Sequence, residues 1–127
     1  MWKMSFSHDV MHDVVTASFT DCVLSTPADV SRWRREVEQA LGRYGKKIDL
    51  LIDLDGLVVK PGASRSFGRE RSEVLAKFTI RSFRYGGDTQ SRTSIFTSSV
   101  IDGAAANVYD SRDQALAALL EARKTTR

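Results

Sequence analysis

Polar and apolar residues alternate from the start of the chain. Trp2, Met4 and Phe6 are separated by Lys3 and Ser5, the period of two of a half-buried strand. Val15, Ala17 and Phe19 repeat the pattern against Thr16, Ser18 and Thr20, and the polar stretch from His8 to Asp13 reads as the turn between them. Two such runs with a short connection predict an antiparallel pair. The period then changes. Val30, Trp33, Val37, Ala40 and Leu41 fall on one face of a helix. Thr26 is suited to cap it, and Pro27 suits its first position, where the missing N–H would be unpaired anyway. Asp29 places a negative charge in the first turn, and Gly42 or Gly45 ends the helix.

Ile48 to Leu54 is nearly continuously apolar, as in a strand covered on both faces. Asp55-Gly56 ends it, and Pro61-Gly62 reads as a loop. A second helix follows, capped by Ser64 or Ser66, with Phe67, Val74, Leu75 and Phe78 on one side. Ile80 to Tyr85 and Thr93 to Thr97 read as strands around Gly86-Gly87-Asp88, either as a hairpin or with the first as a connection. Asn107-Val108-Tyr109 suggests a short final strand. Ser111-Arg112-Asp113-Gln114 matches a capping box for a last helix that buries Ala115, Leu116, Leu119 and Leu120 and frays at 125–127. The order β-β-α-β-α-β-β-α predicts an α/β fold, a mixed β-sheet with helices packed on it. There is no internal repeat or linker, so residues 1–127 read as a single domain.

Composition narrows the class. At 127 residues and 42% hydrophobic, the chain has enough apolar material for one core without covalent staples. A lone cysteine, Cys22, excludes an internal disulfide and a multi-cysteine metal site. It lies in the apolar run Cys22-Val23-Leu24, which predicts a buried, inert thiol. No stretch approaches the ~18 apolar residues of a membrane span, and no apolar segment precedes Asp9 and Asp13. A cytoplasmic protein is therefore expected. The formal charge is +3. Leu57 to Arg92 holds eight basic and three acidic residues, a net +5, so the remainder is slightly acidic.

Two local patterns, together with the element order, resemble the STAS superfamily (sulfate transporter and anti-sigma-factor antagonist), in particular the small bacterial SpoIIAA-like proteins. Asp53-Leu54-Asp55-Gly56-Leu57 stands at the end of the central strand, where that family carries a pattern like D-L-S-G-V. Tyr109-Asp110-Ser111-Arg112-Asp113-Gln114-Ala115-Leu116 is similar to its acidic, serine-bearing turn into a final helix. The resemblance implies a STAS-like domain that acts as a non-enzymatic regulatory or protein-interaction module. It departs from the antagonists at their phosphorylatable D-S-S-G pattern. Counted without gaps from Asp53, that pattern falls on Pro61-Gly62-Ala63-Ser64, which lacks the aspartate and both serines. Ser64 or Ser66 substitutes only with a longer loop.

Candidate chemistry is sparse. His8 and His12 have the i, i+4 spacing of metal ligands on a helix, but in a turn between strands these side chains do not converge. Asp53 and Asp55 point to one side of an extended chain at the carboxyl end of the central strand, where open α/β sheets bind ligands; they are also ordinary turn formers. No phosphate-cradling glycine spacing, nucleophile elbow or metalloprotease motif is present, so no cofactor is expected. Arg65, Arg69 and Arg71, in or near the first turns of the second helix, suit phosphate or carboxylate. With Asp53, Asp55, Ser64 and Ser66 they form the candidate binding set. The expected partner is an acidic protein, with a homodimer as a second possibility. The alternatives are a small anionic or lipid-like ligand, or weak nucleic-acid binding through Arg65–Arg92, where Phe83 and Tyr85 interleave with Arg81 and Arg84.

Overall fold

The computed structural model describes residues 2–125; the part of the expected frayed end beyond Thr125 lies outside them. β1 (Lys3–Asp9) and β2 (Val14–Thr20) form the expected antiparallel pair, with Phe6 opposite Ala17. α1 (Pro27–Gly42) starts with a reciprocal cap: the Thr26 hydroxyl accepts from the Asp29 N–H at 3.3 Å, and the Asp29 carboxylate accepts from the Thr26 N–H at 3.1 Å. Such caps contribute about 1 kcal/mol.

β4 (Ile48–Asp53) is the middle strand of a five-stranded sheet ordered β1-β2-β4-β6-β7, where β6 is Thr79–Tyr85 and β7 is Val108–Tyr109. All pairings after the first are parallel. Successive β4 side chains serve two cores. Leu50 packs in one core with Val30, Trp33 and Phe67, on the face covered by α1 and α2 (Pro61–Phe78). The Trp33 and Phe67 rings meet edge-on, 5.1 Å apart. Leu51, fully buried, packs on the opposite face with Phe83, Ala115, Leu116 and Leu119, beneath α4 (Arg112–Thr125). This mixed sheet with helices packed on it is the α/β class the periodicity predicts.

Three features differ from the sequence expectation. The strand expected at Thr93–Thr97 is a helix, α3 (Thr89–Ile101). Asp88 caps it, its carboxylate accepting from the Ser91 N–H at 2.7 Å. The pairing of β6 with β7 is parallel, which a hairpin cannot provide; the chain must cross over, and α3 is the crossover. Second, α2 begins at Pro61 rather than at Ser64 or Ser66. Pro61 fits the first helical position, and Lys60, the residue before it, is already tied by its N–H to Leu24 O at 2.8 Å. Third, Cys22–Leu24 and Leu57–Val59 form β3 and β5, a small parallel pair not foreseen from sequence. Gly56 makes this pair possible. Its φ is +86°, and a Cβ there would lie 2.2 Å from Phe19 O.

Candidate functional site

α3 has its chemistry reversed. Its buried positions are Ser91, Ser94, Ile95 and Ser98, whereas Phe96, Val100 and Ile101 are exposed, Val100 by 85%. The buried face is therefore held largely by hydrogen bonds. Ser64 and Ser94 hydroxyls meet at 2.8 Å, Ser98 Oγ donates to Gly68 O at 3.2 Å, and Ser91 Oγ donates to Leu57 O at 3.0 Å. Small residues bring the two helices close: a Cβ on Gly68 would sit 2.9 Å from Asp102 Oδ2 and 3.1 Å from Ser98 Cβ. The result is a groove of about 190 Å³ between α2 and α3, lined among others by Ser64, Arg65, Thr97, Ile101 and Asp102. The sequence reading missed α3. The serines at 91, 94 and 98, spaced three and four apart behind a capping aspartate, were the available signal.

The structure separates the residues that the sequence grouped. Asp53 and Asp55 act as turn formers: Asp53 Oδ1 accepts from the Asp55 N–H, and Asp55 Oδ1 accepts from the Gly87 N–H, both at 2.9 Å. Neither lines the α2–α3 groove. Ser64 and Ser66 are half-buried on α2. Arg65 is exposed and reaches Asp102, at the C-terminal end of α3, with 3.1 and 3.0 Å bonds to its two oxygens. Arg69 is exposed beside Glu70 at 3.8 Å. Arg71 does not belong to that surface. It is 4% exposed and turned inward, donating to Ser98 Oγ and to Ala105 O. A residue two positions after Arg69 on a helix is rotated about 200° from it, so Arg71 faces the core while Arg69 faces solvent.

The aromatic and basic residues of β6 are turned inward as well. Phe83 and Arg84 are buried, and Arg81 donates to Asp49 at 2.7 Å. Asp49 Oδ2 also accepts from Arg123 Nε at 2.6 Å. That buried carboxylate thus joins β4, β6 and α4, a role the sequence reading did not assign; an acid inside an otherwise apolar strand was the clue. His8 and His12 diverge, each against its own aspartate: His8 with Asp13 at 2.8 Å, His12 with Asp9 at 2.9 Å. Among the described residues no group of three His, Cys, Asp or Glu side chains is placed to hold a metal ion. Cys22 is buried, and burial pushes its thiol up to about 12. No helix among the described residues is long and apolar enough to cross a membrane.

No protein-family model and no curated protein matches the chain. Among solved structures, it is similar to the anti-sigma factor antagonist SpoIIAA in its unphosphorylated form. The TM-score is 0.54 at 12% identity, covering 98% of this chain and 100% of that one. At that identity the likeness establishes the fold, which is the STAS fold.

Proposed function

We propose that the protein is a non-enzymatic, STAS-like regulatory module of the cytoplasm whose α2–α3 face docks an acidic protein segment bearing apolar side chains. The observation that carries this reading is the reversed α3. A helix that buries three serines and exposes Phe96, Val100 and Ile101 keeps its apolar side free for a partner. The expected charge of the partner comes from α2. Lys60, Arg65 and Arg69 are exposed, and the first turn of α2 contains no acid. Arg65 and Ile101 line the same groove, so the basic and apolar surfaces are contiguous. Arg71, Asp53 and Asp55 fall outside this face, and Ser64 and Ser66 contribute to it only as parts of α2. The reading needs no phosphoserine, since Ser64 already bonds Ser94 across the helix pair. The similarity to an anti-sigma factor antagonist supports a regulatory role.

The test is affinity capture followed by reconstitution with the purified partner, using wild type, Val100→Asp and Arg69→Glu. The expected result is one acidic protein whose affinity falls at least ~10-fold with Val100→Asp, since placing a carboxylate in a desolvated apolar contact costs more than the ~1.4 kcal/mol that a tenfold change represents. Arg69→Glu should mainly slow association and flatten the salt dependence. A reconstituted partner that binds both variants like wild type refutes the face. Self-association abolished by Val100→Asp would reassign it to a second copy of the chain.

A further inference from the structure

Two arginines in the interior have no acid. Arg84, on β6, is completely buried, and Arg71, on α2, nearly so. Among the described residues neither guanidinium forms an ion pair with a carboxylate. The acid acting on Arg71 is Asp102, whose two oxygens are already engaged by Arg65. Both guanidiniums instead donate to one backbone oxygen, that of Ala105. Arg84 also donates to Ala106 O and, at 2.5 Å, to Ser82 Oγ; Arg71 donates to Ser98 Oγ at 3.3 Å. Arg84 Nε is buried without an acceptor.

A carbonyl dipole satisfies a donor but does not neutralise a charge. Two buried cations sharing one neutral acceptor are costly, and two guanidinium forks with a spare N–H match an oxyanion bearing several acceptor oxygens. Burial lowers Arg71 to about 10 and also lowers Arg84 well below its ordinary value, with the charge of Arg71 adding to the effect on Arg84.

The segment supplying those carbonyls carries no large side chain. Residues 103–106 are Gly-Ala-Ala-Ala, flanked by positive φ at Gly103 (80°) and Asn107 (45°). None of the four carries a side chain larger than a methyl, so displacing them extracts nothing large from the core. On the far side lies an open groove of about 440 Å³, lined among others by Ser72, Arg81, Ser82, Ala105 and Asn107. Ser82 and Ala105 border both this groove and the arginines.

We propose that Arg71 and Arg84 form a binding site for a phosphate group, occupied in this structure by the carbonyls of Ala105 and Ala106, which the phosphate displaces as it enters through the groove. The ligand is inorganic phosphate or a phosphomonoester. It is recognised through its oxygens by the two guanidiniums, with Ser82 as a hydroxyl donor.

The test compares thermal unfolding and amide NMR spectra of the whole chain in potassium phosphate, glycerol phosphate and potassium chloride at matched ionic strength. Wild type should gain a saturable rise of about 5 °C with phosphate over chloride, because a ligand that binds only the folded state stabilises it by mass action. Saturable shifts should centre on the amides of 103–107. A response to both phosphates assigns the site to the group itself, and a response to glycerol phosphate alone assigns it to an ester. Arg71→Met, which removes one buried charge and keeps the apolar stem, should fold and lose the response. Should that variant fail to fold, the wild-type spectra decide. Both phosphates acting like chloride, or phosphate-specific shifts located away from 103–107, overturns the proposal, as does an Arg71→Met protein that responds like wild type.

Discussion

Removing the Asp49 carboxylate tests whether the sheet and its outer helix are joined by a buried charge node. Asp49 is 6% exposed as a residue, and its Oδ2 accepts from both Arg81, at 2.7 Å, and Arg123, at 2.6 Å. Arg123 in addition donates to the carbonyls of His12 and Asp13, so it ties α4 to the β1–β2 turn. Asp49→Ala would strand two partly buried guanidiniums. Each charge-assisted bond contributes about 1.5–3 kcal/mol, and breaking a buried pair from one side typically costs 3–5 kcal/mol. Two facts lower the total. The Arg81 and Arg123 side chains retain 17% and 28% exposure, so water re-solvates them in part, and Asp49 Oδ1 is itself unpaired. A net loss of about 3 kcal/mol follows. Urea denaturation with an m-value of about 1.5 kcal/mol/M would read this as a midpoint lowered by roughly 2 M. Arg123→Met in the Asp49→Ala background should then cost less than in wild type, giving a coupling of 1–2 kcal/mol or so in a double-mutant cycle. A loss below about 1 kcal/mol for Asp49→Ala, or coupling below about 0.5 kcal/mol, would refute the node.

Two further perturbations examine the core and the first helix. Leu51→Asp should prevent folding: it forfeits the roughly 1.5–3 kcal/mol gained by burying leucine and buries a carboxylate among Phe83, Ala115 and Leu119; a cooperative unfolding transition by circular dichroism would contradict this. Asp29 is held below its ordinary 3.8 chiefly by the Ser25 N–H, then by Thr26. Its contribution to stability is therefore full above about pH 4 and lost as pH falls through the lowered folded-state value. The gap in urea midpoint between wild type and Asp29→Ala should accordingly be present near pH 6 and close toward about pH 2, whereas a pH-independent gap would exclude the carboxylate as its source.

Local chemistry was enough to read β1, β2, α1, β4 and α4 in the sequence. Each depends on a period or a cap that operates within a few residues: alternation about Phe6 and Ala17, the reciprocal Thr26–Asp29 cap, the continuous run through Leu51, and Ser111 accepting from the Gln114 N–H at 3.2 Å. The two-residue strand at Val108–Tyr109 followed from the same signals. Long-range terms decided the rest. Thr93–Thr97 reads as a strand alone because Thr and Ile favour extended backbone, but the parallel pairing of β6 and β7 requires a crossover, so the segment is helical. β3 and β5 are too short to announce themselves and exist because each pairs with the other. Position on a helix is fixed by sequence, but which side is covered depends on what packs there. Arg65, Arg69 and Arg71 look alike in the chain, and only the approach of α3 and the loop after it divides them into two solvent-facing cations and one buried donor to Ala105.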